Sequence, residues 1–170
     1  MILRLNLKAS EFYSKYKLYL FVGVFIASFS LYFNTLNHSF VLDDTVAIEK
    51  NKYVQKGLEG IIDIFSHSYT NGYDGTNRNT YRPISLVSFA LEKHFFGASP
   101  FTFHLFSILS YALLCIVVGR FLFLIFPQKQ TLLILSIIAL FIAHPIHTEV
   151  VANIKSRDEI YSMLFGIISL

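Results

Sequence analysis

The sequence is short of the residue types that mark most soluble functional classes. It has one cysteine, Cys115, set inside an apolar run. An intrachain disulfide is therefore excluded, and nothing about redox compartment follows. There is no tryptophan among its 170 residues, charged residues make up only 15%, and the formal net charge is +3. So small a basic excess gives no footprint for nucleic-acid binding. Charge is also scarce within the longest apolar runs, whereas ion and proton relays place acids inside their helices.

What the sequence does hold is apolar: 54% hydrophobic residues, 18 of them Phe. These residues come in long blocks instead of a dispersed amphipathic pattern, so an all-α integral membrane protein is expected. The basic flank of residues 1–17 carries Arg4, Lys8, Lys15 and Lys17 against one acid, Glu11. Such a flank stays on the cytoplasmic side. Residues 18–36 follow as a first span, close to the roughly 20 residues needed to cross the hydrocarbon core. A signal peptide is the alternative, with Ser28-Phe29-Ser30 at cleavage spacing, but the run is long and further spans follow. Asn37-His38-Ser39 matches the glycosylation triplet yet lies too near the membrane to act as an acceptor.

Residues 37–99 are too long and too polar for a hairpin, and a structured external loop is expected there. Leu58, Ile61, Ile62 and Phe65 recur at helical spacing and predict one short amphipathic helix. His67 to Thr80 is rich in Asn, Gly and Ser and reads as a mobile loop. Pro83 suits the first position of a helix ending near Phe96, with Gly97 just past it and Ile84, Val87, Leu91 and Phe95 along one face. Tethered between spans, such a helix would lie along the bilayer surface. Ser99-Pro100 opens a second span over residues 100–126, with Arg120 snorkelling near its inner end. Residues 127–130 make an inner turn. A third, short span over residues 131–143 covers roughly 20 Å at 1.5 Å per residue, against a core of about 30 Å. The polar stretch of residues 144–159 then emerges on the same side as the first loop. Residues 160–170 begin a fourth apolar run of about 11 residues, too short to cross, so the chain reads as an N-terminal piece of a larger polytopic protein.

Two polar stretches carry the candidate chemistry. His38 to Thr45 contains Asp43 and Asp44, adjacent carboxylates at the mouth of a span, where ionisable groups usually line a substrate or ion path. The plainer alternative is that Asp44 caps a helix over Thr45 to Glu49 and Asp43 is solvated. In the second stretch His144, His147 and Glu149 offer metal donors, but Pro145 breaks the helical spacing, so a zinc site is disfavoured. Ser156 and Glu159 fit a capping box, and Arg157 with Asp158 fits a surface ion pair.

Three blocks, FVLDDTVAIEKNKYV, YRPISLVSFALEKHFFGASPFTFHLFSILSYALL and LFIAHPIHTEVVANIKSRDEI, stand in an order and spacing that resembles the N-terminal part of the TMTC-type transmembrane O-mannosyltransferases. These belong to the GT-C superfamily of polyprenyl-phosphate-sugar-dependent enzymes. The resemblance covers about residues 36 to 165. It implies a polytopic helical bundle, a polyprenyl-phosphate-linked sugar donor, a protein acceptor, and a multi-pass location in the bacterial inner membrane or the endoplasmic reticulum membrane. By the same resemblance Asp43 is the base or, in metal-dependent relatives, the ligand of a divalent metal. Asp44 orients the acceptor or sets the proton balance of the pair. Arg82 clamps phosphate, and His147, Glu149 and Arg157 bind substrate. Full members continue into tetratricopeptide repeats, which this sequence does not contain. A transporter fragment and a non-catalytic membrane anchor are the readings from other classes.

Overall fold

The computed structural model describes residues 2–126 and 130–170, with side chains from Lys15 onward. The inner turn expected at residues 127–130 therefore lies largely outside the described residues. Among those described there is helix but no strand. The helices are α1 (Ile2–Tyr32), α2 (Lys52–Gln55), α3 (Ile61–Ser66), α4 (Asn71–Asp74), α5 (Pro83–Phe96), α6 (Pro100–Ile125), α7 (Thr131–Ala143), α8 (His147–Ala152) and α9 (Arg157–Ile168). Lys15–Asn37 and Pro100–Ile125 are long and apolar enough to cross a membrane. Thr131–Ala143 is apolar but shorter.

Local chemistry sets several of the boundaries. Pro83 and Pro100 stand in the first turns of α5 and α6, where a missing N–H costs nothing. Gly97 ends α5 at φ +83°, a left-handed conformation that side chains resist, and its N–H returns to the Lys93 carbonyl. Asn51 caps α2, its side-chain oxygen accepting from the N–H groups of Tyr53 and Val54 at 3.1 and 3.3 Å.

Two cores form. In the first, α1, α6, α7 and α9 pack through Val24, Tyr111, Cys115, Ile134, Ile138, Ile160 and Leu164. The second lies under the loop between α1 and α6, where Ile48, Val54, Ile64, Tyr69, Leu86, Phe89, Phe103 and Ile154 meet. Ile154 belongs to the stretch just before α9, so the distal part of the chain closes this second core. An apolar groove of about 500 Å³ runs between α1 and α7, floored by Gly23, Ala27 and Ile138.

Several sequence expectations are corrected here. Leu58, Ile62 and Phe65 are exposed, and Ile64 is the buried residue of α3, which starts only at Ile61 after a tight turn over Gly57–Gly60. On α5, Ile84 and Phe95 are exposed, while Ser85, Leu86, Phe89, Ala90 and Glu92 are buried. Helical periodicity locates an apolar stripe; in a chain this apolar it does not say whether the stripe meets protein or solvent. The segment expected as a mobile loop is closed by its own bonds. Tyr69 N–H donates to the Thr80 carbonyl at 2.8 Å, and Asn71 Nδ2 donates to Asn77 at 2.9 Å. Arg78 also pairs with Asp74 at 2.8 Å. No capping box forms at α9, because the Ser156 side chain makes no cap bond.

Candidate functional site

Leu42 precedes the acidic pair and is the non-glycine residue with positive φ, +44°, among those described. L-residues reach this region at a cost of roughly 1–2 kcal/mol, and such strain collects where a backbone must aim a functional group. The turn sends its two carboxylates into opposite surroundings. Asp44 is fully buried: one oxygen accepts the Lys155 N–H at 2.8 Å and the other the Val41 N–H at 3.2 Å. It does not cap the Thr45–Glu49 turn. Burial pushes its carboxyl above the ordinary range, opposed by the two N–H donors. Asp43 keeps 62% of its side chain exposed, with the Lys155 ammonium 3.5 Å away. Of the pair, Asp43 is the carboxylate open to a ligand, and Asp44 fastens the turn to the Lys155 backbone, 111 residues on.

Arg82 immediately precedes α5 and forms an ion pair with Asp158 of α9. Both line a cleft of about 670 Å³ with Ser85, Glu159, Tyr161, Met163 and Phe165. Tyr69 lies among these charges. It is buried, its phenol is pushed well above the ordinary value by that burial, and Asp158 is the largest charged influence on it, ahead of Arg82, Asp43 and Asp44. Asp43, Asp44, Arg82, Lys155, Asp158 and Tyr69 thus form one polar neighbourhood, assembled from all three sequence blocks and the loop between them.

The remaining predicted residues are distributed differently. Arg157 is the correction of most weight: it is fully buried and is neither a surface ion pair with Asp158 nor a lining residue of the cleft. Its guanidinium pairs with Glu92 and donates to Ser107 Oγ at 3.1 Å, Ser88 Oγ at 3.4 Å and the Phe103 carbonyl at 2.6 Å. The Phe89 ring lies over it at 4.7 Å. It joins α5, α6 and α9 from within, and burial pushes the Glu92 carboxyl up to about 7 against the opposing pull of the guanidinium. His147 sits against the rings of Phe141 and Tyr111, 4.6 and 5.5 Å between centroids, and lines a second cavity of about 210 Å³. Glu159 and Met163 line both cavities, so the two are neighbours. Burial, with His144 nearby, lowers the His147 pKa. Glu149 is exposed and lines neither cavity.

A divalent metal at Asp43 is not supported by its surroundings. The ion-pair partner of Asp43 is an ammonium, and among the described residues no three His, Cys, Asp or Glu side chains gather as a ligand set. Sequence reasoning missed Lys155, Asp158 and Tyr69 as members of the site. The usable signal was the third block itself, which places Lys155 and Asp158 beside Arg157.

Comparison with known proteins adds a separate line of support. The chain is 30% identical over 147 residues to "Protein O-mannosyl-transferase TMTC2" of Mus musculus, covering 83% of this chain and 17% of that protein. It is 33% identical over 147 residues to "Protein O-mannosyl-transferase Tmtc1" of Drosophila melanogaster, covering 82% and 16%. It is 30% identical over 150 residues to "Protein O-mannosyl-transferase TMTC3" of Homo sapiens, covering 86% and 15%. The chain therefore spans about a sixth of the length of the curated relatives it matches. No family model matches it, and no solved structure does.

Proposed function

The chain belongs to the TMTC-type family of protein O-mannosyl-transferases, and from that premise we propose that it is the acid-bearing part of a polytopic membrane glycosyltransferase. The reaction is transfer of a mannosyl group from a polyprenyl-phosphate-linked donor to a protein hydroxyl. The acceptor oxygen forms a bond to the anomeric carbon as the bond from that carbon to the phosphate oxygen breaks. The acceptor proton passes to a carboxylate, and the departing phosphate carries away the bonding pair. Such a step needs a base at the acceptor and fixed positive charge at the phosphate.

The observation that carries this reading is the pair of contacts Asp43–Lys155 and Arg82–Asp158, each joining residues more than 70 positions apart in sequence. Asp43 is exposed and ionisable, as a base must be. The Lys155 ammonium lies 3.5 Å from its carboxylate and supplies fixed positive charge beside it. Arg82 presents a planar fork suited to phosphate oxygens. Asp44, with both oxygens engaged, holds the loop in place. In this reading the basic N-terminal flank lies on the cytoplasmic side and the acidic pair on the opposite side of the membrane.

In the longer protein, Asp43→Asn removes the basic oxygen while keeping the size of the side chain. Loss of a general base typically costs about 100- to 10,000-fold in rate. Transfer from a polyprenyl-phosphate mannose donor, measured at equal membrane expression, should fall by that order. Full activity in Asp43→Asn together with a dead Glu149→Gln would move the chemistry to the 144–149 stretch and refute the assignment.

A further inference from the structure

Two buried polar atoms in the charged neighbourhood of Arg82 are not used by the proposed reaction. The Tyr69 hydroxyl is buried and has no hydrogen-bond partner among the described residues. The same holds for Oδ1 of Asp158, whose other oxygen pairs with Arg82. Tyr69 keeps its proton, because burial and the Asp158 charge both oppose ionisation. A phenol O–H with no acceptor and a neighbouring carboxylate oxygen with no donor are chemically complementary. Buried polar groups left open in this way are uncommon enough to call for a role.

Arg82 is the accessible member of the group, with 44% of its side chain exposed against 14% for Asp158. It lines the 670 Å³ cleft together with Ile84, Tyr161, Met163 and Phe165. A cleft lined by a guanidinium together with aliphatic and aromatic side chains fits a phosphate ester that carries an apolar chain. Carboxylate and phosphate compete for the same N–H edges of arginine.

We propose that Asp158 occupies the Arg82 guanidinium as a placeholder for the phosphate of such a ligand, and that when the phosphate arrives the Asp158 carboxylate passes to the Tyr69 hydroxyl. The proposal rests on the reading of Arg82 as a phosphate clamp. The exchange leaves neither group without a partner: Arg82 trades one anion for another, and Asp158 trades an ionic partner for a neutral donor. Without Tyr69 the displaced carboxylate would be left buried and unpaired, which is costly. Tyr69 is thus a positioning residue that acts through Asp158 and need not touch the ligand.

The test is binding, measured on the chain reconstituted in phosphatidylcholine vesicles with farnesyl phosphate as probe. Asp158→Asn removes the internal competitor and should tighten binding by about tenfold, because the open form no longer has to be drawn from a closed one. Farnesol, which lacks the anion, should bind wild type and Asp158→Asn alike. Tyr69→Phe should weaken farnesyl phosphate several-fold in the wild-type background and have no effect beside Asp158→Asn. On probe addition the wild-type chain should also show a tyrosine infrared change of a hydroxyl gaining an acceptor, absent from Tyr69→Phe. That spectrum carries the test even where Asp158→Asn fails to insert.

The proposal is overturned if Asp158→Asn binds no more tightly than wild type, if Tyr69→Phe acts equally in both backgrounds, or if the inserted chain does not bind the probe. Inorganic phosphate binding as tightly as farnesyl phosphate would overturn the amphiphilic ligand. Displacement of the probe by phosphatidylglycerol would support the exchange and make a bulk lipid headgroup its occupant. These measurements do not involve catalysis, so a failed transfer assay in Asp43→Asn bears on the proposed reaction alone.

Discussion

Asp43 and Asp44 are neighbours in sequence with opposite fates, one exposed beside an ammonium and one sealed under two backbone N–H groups. The sequence marks both as candidates, and the partition between them depends on Lys155, which no local pattern connects to them. His147 shows another residue-scale consequence. Burial holds its pKa below the ordinary histidine value, so the folded chain resists protonation more than the unfolded chain does. Stability contributed in this way is complete above the unfolded pKa of about 6.5 and is lost as pH falls through the folded one. Thermal unfolding followed between pH 8 and pH 5 should show a decline below about pH 6.5 that is reduced in His147→Gln. A decline of equal size in the variant would assign the titration elsewhere.

The helices show what sequence signals can and cannot place. The ends of α5 and α6 are legible because Pro83, Gly97 and Pro100 act through their own backbone chemistry. Which face of α5 is buried was not legible. Burial follows Glu92, drawn inward by Arg157 from 65 residues away, and not the apolar stripe of Ile84 and Phe95. The loop of α4 is likewise held by a distant contact. Gly72 packs so closely on the side chain of Asn51 that a β-carbon there would lie 2.0 Å from its oxygen. That oxygen caps α2, and the Asn51 amide nitrogen donates to the Tyr69 carbonyl at 3.5 Å. Gly72→Ala should therefore destabilise the loop by about 1–3 kcal/mol, the usual range for overpacking. Limited proteolysis between Ser68 and Arg78 should accelerate in this variant while the core of α1, α6 and α7 persists. Unchanged cleavage would show that the loop yields without cost.

At the scale of the molecule, the order of helices and the meeting of three sequence blocks account for the candidate site, while the orientation proposed across a membrane rests on the charge of the N-terminal flank alone. With Cys115 replaced by Ser, a cysteine at Asp74 should react with a membrane-impermeant reagent applied from outside. A cysteine at Gln130 should react only after permeabilisation. The reverse pattern would place the acidic pair on the cytoplasmic side. The apolar helices carry one further consequence. Helix α6 has 26 residues and α7 has 13, a difference of roughly 20 Å at 1.5 Å per residue. A bilayer matched to α6 cannot also be matched to α7. Where α7 enters the bilayer, mismatch of this size is met by tilt of α6, by packing of α7 against its neighbours or by thinning of the lipid, and thinning would dent the membrane on the α7 side and bring headgroups and water down toward His144 and His147.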